Sequence, residues 1–462
     1  MSSLVAGPAR PAGGIAAVSR VARRPRGTLL PLLPLLVGVV ASGLAWFRLL
    51  PGARNTLWAE DAAVFLTQRL HSGPLVSLVL PYDGYQQLVP RLLTDVATAA
   101  PVADYARTLT LLCCLVVGLA AAGAVVWTRE ALQHPATRVL FALVPVLTPV
   151  VAFEVLGNTA NLHSFLLFLV PVLLLVRPSS TRGALLPALV AFVVAMSEIQ
   201  ALFFVPMLLL GVRHRRSWTI GGALLLGLTV QLSTAVLVPR VRVPVAQQPL
   251  DVVRGWFLEP LLSIVWPRVG PAVTRLVQVG PVLLVVLALA VVAAVVVALW
   301  GRWRRDDGLG TLRTLTVALV VASPLVWCVA LAVNPTSRID FTHHGVELLA
   351  AAGYLRYAAV PSMFVLGIVV LAAERLLRVR SRAATTAGVV VLALLVGLLG
   401  WRALPGESAR TGAPSWSAEY RAARRHCVEG ATEYRFDQAP QGWNVTLGCA
   451  TVRRGAFPTT ER

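Results

Sequence analysis

The chain has 462 residues, of which 57% are hydrophobic and 13% are charged, and its formal charge of +20 is carried by arginine alone, with no lysine. A soluble domain carries about 25% charged residues, so water cannot solvate this much apolar surface and lipid must be the solvent for much of the chain. The arginines fall in short clusters between apolar runs and form no basic face with interleaved aromatics, which excludes nucleic acid as a partner.

Residues 1–27 are rich in Pro, Gly and Arg (Arg10, Arg20, Arg23, Arg24, Arg26) and read as a disordered cytoplasmic leader. The next apolar run, 28–50, is too long for a signal-peptide core and lacks a small-residue cleavage site, so it is expected to stay as a helix. Further spans are expected at 107–127, 138–156, 162–176, 183–197, 199–212, 218–238, 279–300, 314–333, 357–374 and 384–404. The fold class is thus an all-α polytopic membrane protein of about eleven transmembrane helices, occupying 28–404. The runs at 162–176, 183–197 and 199–212 are short, and are read as tilted partners or, for the last two, as one re-entrant pair.

Arginine placement sets the expected topology. The proposed cytoplasmic segments hold 20 arginines against four acids (Glu130, Asp306, Asp307, Glu374), leaving 21 arginines and 17 acids for the exported side, mostly in long loops and the tail. The expectation is a multi-pass plasma-membrane protein with a cytoplasmic N-terminus and an exported C-terminus. Two exported loops are long. Loop 51–107 is polar with amphipathic pieces. Loop 239–280 alternates charges with apolar stretches and tryptophans, and reads as helices lying in the interface with Trp256 and Trp266 at headgroup depth. The tail, 405–462, is too small for a large core, and Cys427 and Cys449, the one cysteine pair outside apolar runs, are expected to form a disulfide that staples it. Cys113, Cys114 and Cys328 lie inside apolar runs and read as packing residues.

The densest chemistry follows the first helix, in Asn55-Thr-Leu-Trp-Ala-Glu60-Asp61-Ala-Ala-Val-Phe65. Adjacent carboxylates repel, and partial burial disfavours their ionisation. Placed at a membrane surface, such a group serves as a general base or as an oxygen ligand for a divalent cation. A solvated acidic pair opening an amphipathic helix is the alternative, since negative charge suits a helix N-terminus. The same loop continues as Pro81-Tyr-Asp-Gly-Tyr-Gln-Gln-Leu-Val-Pro-Arg91. Tyr82, Asp83, Tyr85 and Gln86 are residue types that line sugar sites, or else a turn at Asp83-Gly84 beside interfacial tyrosines; Arg91 closes the stretch.

An acidic pair in the first long exported loop, after a first helix with its start in the cytoplasm, resembles the GT-C superfamily of membrane glycosyltransferases. In particular it resembles actinobacterial GT-C-like membrane proteins with a Trp-x-Glu-Asp loop, here Trp58-Ala59-Glu60-Asp61. The resemblance implies an inverting transferase that moves a hexose or pentose from a polyprenyl-phosphate donor to an exported glycan or protein acceptor of the cell envelope. It implies that Asp61 or Glu60, with Asp61 favoured, deprotonates the acceptor hydroxyl. Some members use a divalent cation such as Mg or Mn and others none, so the cofactor stays open.

A lipid-phosphate leaving group needs cations, and the planar fork of arginine suits phosphate oxygens. Exported candidates are Arg240, Arg242, Arg254, Arg268, Arg338 and Arg356, each of which otherwise snorkels to the surface. Polar groups at helix boundaries complete the set: Glu154, Asn158, Asn161 and His163 between two spans, Glu198 at a tight exported turn, and His343 with His344 in the loop after Asn334. Each of these also reads as an ordinary polar hairpin, and two adjacent histidines point apart on regular structure, against a shared metal. A lipid-linked sugar transporter or flippase, and a non-catalytic GT-C-like assembly partner, are the competing functions. The spans are largely uncharged at mid-membrane and the acids gather at the exported edge, an arrangement that disfavours transport.

Overall fold

The computed structural model describes residues 30–211, 214–240, 245–301, 308–428 and 430–459. The leader 1–27, Arg242 and the cluster Arg302, Arg304, Arg305, Asp306 and Asp307, expected from sequence on the cytoplasmic side, lie outside them. The described chain is mainly helical, and an apolar helix overlaps each of the eleven runs read from hydropathy, although the one in the run 138–156 ends at Leu147. Six are long and apolar enough to cross a membrane: Val102–Trp127, Ser217–Leu237, Val282–Leu299, Gly308–Val333, Arg356–Leu377 and Arg382–Arg402. Five more are apolar but shorter: Leu33–Arg48, Pro135–Leu147, Ala160–Leu174, Thr181–Ala195 and Ile199–Gly211. At 1.5 Å per residue a 16-residue helix covers about 24 Å, less than the hydrocarbon thickness.

Burial sorts these helices. Arg356–Leu377 is the hub, with 78% of its apolar window buried inside the protein, and it packs against the Val282–Leu299, Gly308–Val333, Arg382–Arg402 and Pro135–Leu147 helices. Val282–Leu299 and Arg382–Arg402 have only 6% and 17% buried, although they are as apolar as the hub. Their outward faces carry Val285, Val286, Leu289, Val292, Val390, Leu394 and Trp401. An apolar face of that extent needs lipid against it, which makes this a membrane protein. The first helix lies flush on Tyr105–Trp127: a Cβ added at Gly118 would stand 2.0 Å from Ser42 Oγ and 2.5 Å from the Gly38 carbonyl. Small residues allow this close approach, which is how helices associate where no hydrophobic effect separates them from lipid.

Polar connections separate to the two ends of the bundle. At one end, Glu374 closes the hub helix: its carboxylate accepts from Gln133 N at 2.8 Å, Thr137 Oγ1 at 2.5 Å and Arg378 Nε at 2.6 Å. Arg313 and Arg375 bind the Trp300 carbonyl at the same end. At the other end the segments 51–104, 149–162, 195–200, 238–240, 245–281, 334–358, 403–428 and 430–459 meet one another. Sequence reasoning groups these same segments on the exported side.

Loop 51–104 and the tail are not separate pieces. Trp416–His426, a two-stranded antiparallel hairpin (β1, Glu433–Asp437; β2, Asn444–Gly448; Glu433 opposite Gly448 and Asp437 opposite Asn444) and Cys449–Arg454 form the tail. Cys427 and Cys449 are disulfide-bonded, as expected. Trp416, Phe436, Val445, Leu447 and Val452 then share one core with Leu57, Ala62, Leu66, Leu70 and Tyr105 of the first loop and the helix after it. Trp416 Nε1 donates to the Val102 carbonyl at 2.6 Å, and its ring lies 5.6 Å from Tyr105. The tail therefore finds in the first loop the apolar surface it lacks by itself.

Loop 239–280 departs from the interfacial reading. Its middle, Phe257–Leu261 and Leu262–Ile264, is buried in the main core. Pro260 interrupts regular helix pairing, and its carbonyl accepts from Ser362 Oγ at 2.8 Å on the hub helix. Trp256 Nε1 turns inward to Ser323 Oγ at 3.2 Å, so Trp256 anchors to protein, not headgroups. Glu259 is fully buried, accepts from Leu355 N at 2.7 Å through Oε2, and leaves Oε1 with no hydrogen bond. Burial pushes its carboxyl up to about 8 from 4.5. Between these values the folded state holds a proton that the unfolded state has lost, so stability falls as pH rises through that window, by at most about 1.4 kcal/mol per pH unit. We expect the melting-temperature difference between wild type and Glu259→Gln to shift against the wild type from pH 5 to pH 8, measured by thermal unfolding in detergent. A difference independent of pH would refute a protonated Glu259.

Candidate functional site

The acidic doublet sits at the junction of three segments: the first loop, the turn 149–162 and the tail. Its entry is strained. Ala59 has φ of +37°, a region that non-glycine residues rarely occupy. The tail holds it there, with Ala59 N donating to the Ala439 carbonyl at 2.5 Å, Gln438 Nε2 donating to the Ala59 carbonyl, and Ala439 N donating to the Leu57 carbonyl at 3.1 Å. Turning the chain at Ala59 lets two consecutive acids face different surroundings.

Asp61 is buried and has its oxygens occupied. Oδ2 accepts from Trp58 N at 3.0 Å, and Oδ1 accepts from Thr159 N at 2.9 Å and Thr159 Oγ1 at 2.7 Å. Burial pushes its carboxyl above the usual range, while these bonds and the nearby Arg410 pull the other way. Arg410, itself buried, donates to the carbonyls of Leu156 at 2.6 Å, Gly157 at 2.9 Å and Thr56 at 3.3 Å. Gly157 is obligatory: its φ is +76°, and a Cβ would stand 2.5 Å from Leu49 Cδ1 and 2.9 Å from the Arg410 guanidinium. Asn158 and Asn161 shape this turn, since Asn158 Oδ1 accepts from Asn161 N at 3.0 Å and both side-chain amides donate to the Glu154 carbonyl. Their amides serve the backbone that presents Thr159 to Asp61.

Glu60 faces the other way. Oε1 accepts from Tyr82 Oη at 3.0 Å, while Oε2 is buried with no hydrogen bond. Tyr82 packs edge-on against Phe65 and Tyr85, each 5.8 Å away, and burial pushes the Tyr85 hydroxyl up to about 12. Arg356 lies within electrostatic reach of Glu60 and Tyr85 and is ion-paired with Glu154 at 3.2 Å. Beyond this pair opens a cleft of about 450 Å³, lined by Glu154, Arg240, Asn334, Arg338, Arg356 and Tyr357 among others. Three guanidiniums against one carboxylate make it cationic. Arg240 is positioned by Asn334 and by Asp83, whose Oδ2 lies 2.5 Å from it. Arg338 is held by the Ala352 carbonyl.

Other residues read as site candidates lie elsewhere or act as scaffold. Gln86 is committed to the Ser217–Leu237 helix: its N donates to Gln231 Oε1 at 2.8 Å and its Nε2 to Thr234 Oγ1 at 3.0 Å. His163 Nδ1 contacts Glu198 Oε2, and Glu198 Oε1 accepts from Gln200 N at 2.7 Å, a pair legible in the sequence only as two unrelated hairpins. Arg91 is buried over the Phe65 ring at 5.4 Å, none of its guanidinium nitrogens has a hydrogen bond, and burial lowers it to about 10. Arg254 pairs loosely with Asp251 at 3.8 Å and donates to Thr342 Oγ1 at 3.2 Å. His343 bonds Asp340 through Nδ1 at 2.6 Å, which holds the Asp340 carboxyl below its usual range. Neither Arg254 nor His343 lines the cleft. Thr159 and Arg410, which organise the doublet, carry no local signal, because they act only through contacts across roughly a hundred and several hundred positions.

Among the described residues no three of His, Cys, Asp and Glu come together as metal ligands. No protein-family model, curated protein or solved structure matches this chain.

Proposed function

We propose that the chain is an inverting GT-C-type glycosyltransferase that moves a sugar from a polyprenyl-phosphate donor to a hydroxyl of an exported cell-envelope glycan or protein. The observation that supports the reading is the pairing of opposite functions at one end of the bundle: Glu60 has a carboxylate oxygen with no hydrogen bond, and Arg356, within electrostatic reach of Glu60, lines a cleft with Arg240 and Arg338. In this scheme Glu60 Oε2 accepts the proton of the acceptor hydroxyl. The freed oxygen attacks the anomeric carbon from the face opposite the phosphate, and the phosphate leaves with the bonding electron pair, its negative charge facing the arginines. Tyr82 holds Glu60 in place through Oε1. Asp61, favoured over Glu60 on sequence grounds, becomes a positioning residue, because its oxygens are already filled by Trp58 and Thr159.

The proposal includes topology. All eleven apolar helices cross the bilayer, the end closed by Glu374 and Arg378 lies in the cytoplasm, and the doublet, cleft and tail are exported. Arginine asymmetry supports this orientation. The test is turnover: purified protein in lipid nanodiscs is supplied with polyprenyl-phosphate-linked hexoses and pentoses, and release of polyprenyl phosphate is followed with the anomeric configuration of the product. Transfer with inversion is expected. Donor binding without release would instead identify an assembly partner, and movement of intact donor across proteoliposomes a flippase.

A further inference from the structure

A second cavity, about 590 Å³, backs onto the cleft at the same end of the bundle. Neighbouring residues of the same two segments face the two spaces: Glu154 and Arg356 line the first, Phe153 and Tyr354 the second. Its walls are Phe153, Trp266, Val269, Trp401 and Leu404 together with several prolines, and its polar groups are mostly guanidiniums: Arg48, Arg268 and Arg402, against Glu407 at the mouth. Arg48 is already committed, since it binds the carbonyls of Val146, Thr148 and Pro149 at the end of the Pro135–Leu147 helix.

Arg268 and Arg402 are not committed. Among the described residues neither has an ion pair or a hydrogen-bond partner, and Arg402 Nε is buried without one. Two cations brought to one cavity, neither of them ion-paired with Glu407 at its mouth, repel each other, a repulsion that an anion between them relieves. The cavity also continues into the lipid-facing side of the bundle. Trp401 and Leu404, 73% and 65% exposed, stand at its edge, and the same helix carries Val390, Leu394 and Val396 outward below them. An occupant with an anionic head and an apolar chain satisfies both features, whereas a soluble anion leaves the apolar wall wet.

We propose that this cavity binds the phosphate headgroup of an anionic phospholipid, with Arg268 and Arg402 on the phosphate and the acyl chains along the Arg382–Arg402 helix. The proposal does not depend on the transferase reading, because none of its residues lines the first cleft. The test is lipid binding by full-length protein in detergent micelles, comparing spin-labelled phosphatidylglycerol with phosphatidylcholine, and soluble glycerol 1-phosphate as competitor. Wild type should immobilise phosphatidylglycerol at least five-fold better than phosphatidylcholine, and Arg268→Gln/Arg402→Gln should lose that preference with unchanged helix content. Glu60→Gln should keep it, which separates this site from the proposed reaction. A wild type without preference, a double variant that retains it, or glycerol 1-phosphate competing as well as lipid would each overturn the assignment. Should the double variant fail to fold, Arg268→Gln alone, on an exposed side chain, decides the matter by the same readout.

Discussion

Glu60→Gln should lower glycosyl transfer by about 10³-fold while leaving the melting temperature within a degree or two of wild type. Positioned general bases contribute about 10²–10⁴-fold, and glutamine keeps the size of the side chain and the bond accepted from Tyr82 while removing the proton acceptor. Asp61→Asn should behave differently. An asparagine can keep only one acceptor oxygen where three donors now converge, two from Thr159 and one from Trp58. One face of the new amide therefore points hydrogens at a backbone N–H, at a cost of about 1–3 kcal/mol. The two variants thus separate chemistry from architecture: the first loses rate at constant stability, the second loses stability first. Steady-state transfer rates and thermal unfolding on the same preparations make the comparison. An active Glu60→Gln, within three-fold of wild type, would remove Glu60 as the base.

Arg410→Ala should loosen the whole end of the bundle that carries the acidic doublet and the tail. The guanidinium joins the tail to both segments flanking Asp61, and its loss strands three buried carbonyls and removes the cation nearest the carboxylate. With roughly 1.5–3 kcal/mol for a hydrogen bond to a charged group, and incomplete additivity, the expected cost is about 3–5 kcal/mol. Arg410→Lys should recover only part of this, because one ammonium cannot reach three carbonyls in the plane of a fork. The readouts are thermal unfolding and protease sensitivity of residues 403–459. A tail as resistant in Arg410→Ala as in wild type would show that the shared core around Trp416 and Tyr105 holds it without the clamp.

These two expectations differ in how far they could be anticipated. Glu60 stands in an acidic doublet just beyond an apolar helix, an unusual placement for two carboxylates, so the pair is conspicuous in the sequence. The choice between its members did not follow, because it depends on whether a backbone turn at Ala59 sends each side chain to a different neighbour. Arg410 sits in a polar stretch that resembles ordinary tail sequence. The same division holds for the arginines. Sequence reasoning collected Arg240, Arg242, Arg254, Arg268, Arg338 and Arg356 as phosphate ligands; folding puts Arg240, Arg338 and Arg356 on one cleft, leaves Arg254 with Asp251 and sends Arg268 to the second cavity, while Arg242 lies outside the described residues. His163 and Glu198 became a pair only when two helix starts met.

Membrane residence, the positions of the apolar helices and the Cys427–Cys449 bridge were determined by the chain's own composition and periodicity. Burial of apolar surface in lipid is a sum over local residues, and the one cysteine pair outside the apolar runs had no other partner to choose. Tertiary structure alone decided that the tail shares a core with the first loop, that residues 257–264 enter the bundle, and which carboxylate keeps a free oxygen. Those outcomes turn on hydrogen bonds and packing between residues far apart in the chain, where a directional contact of a few ångströms settles the role of a side chain and neighbouring letters carry no record of it.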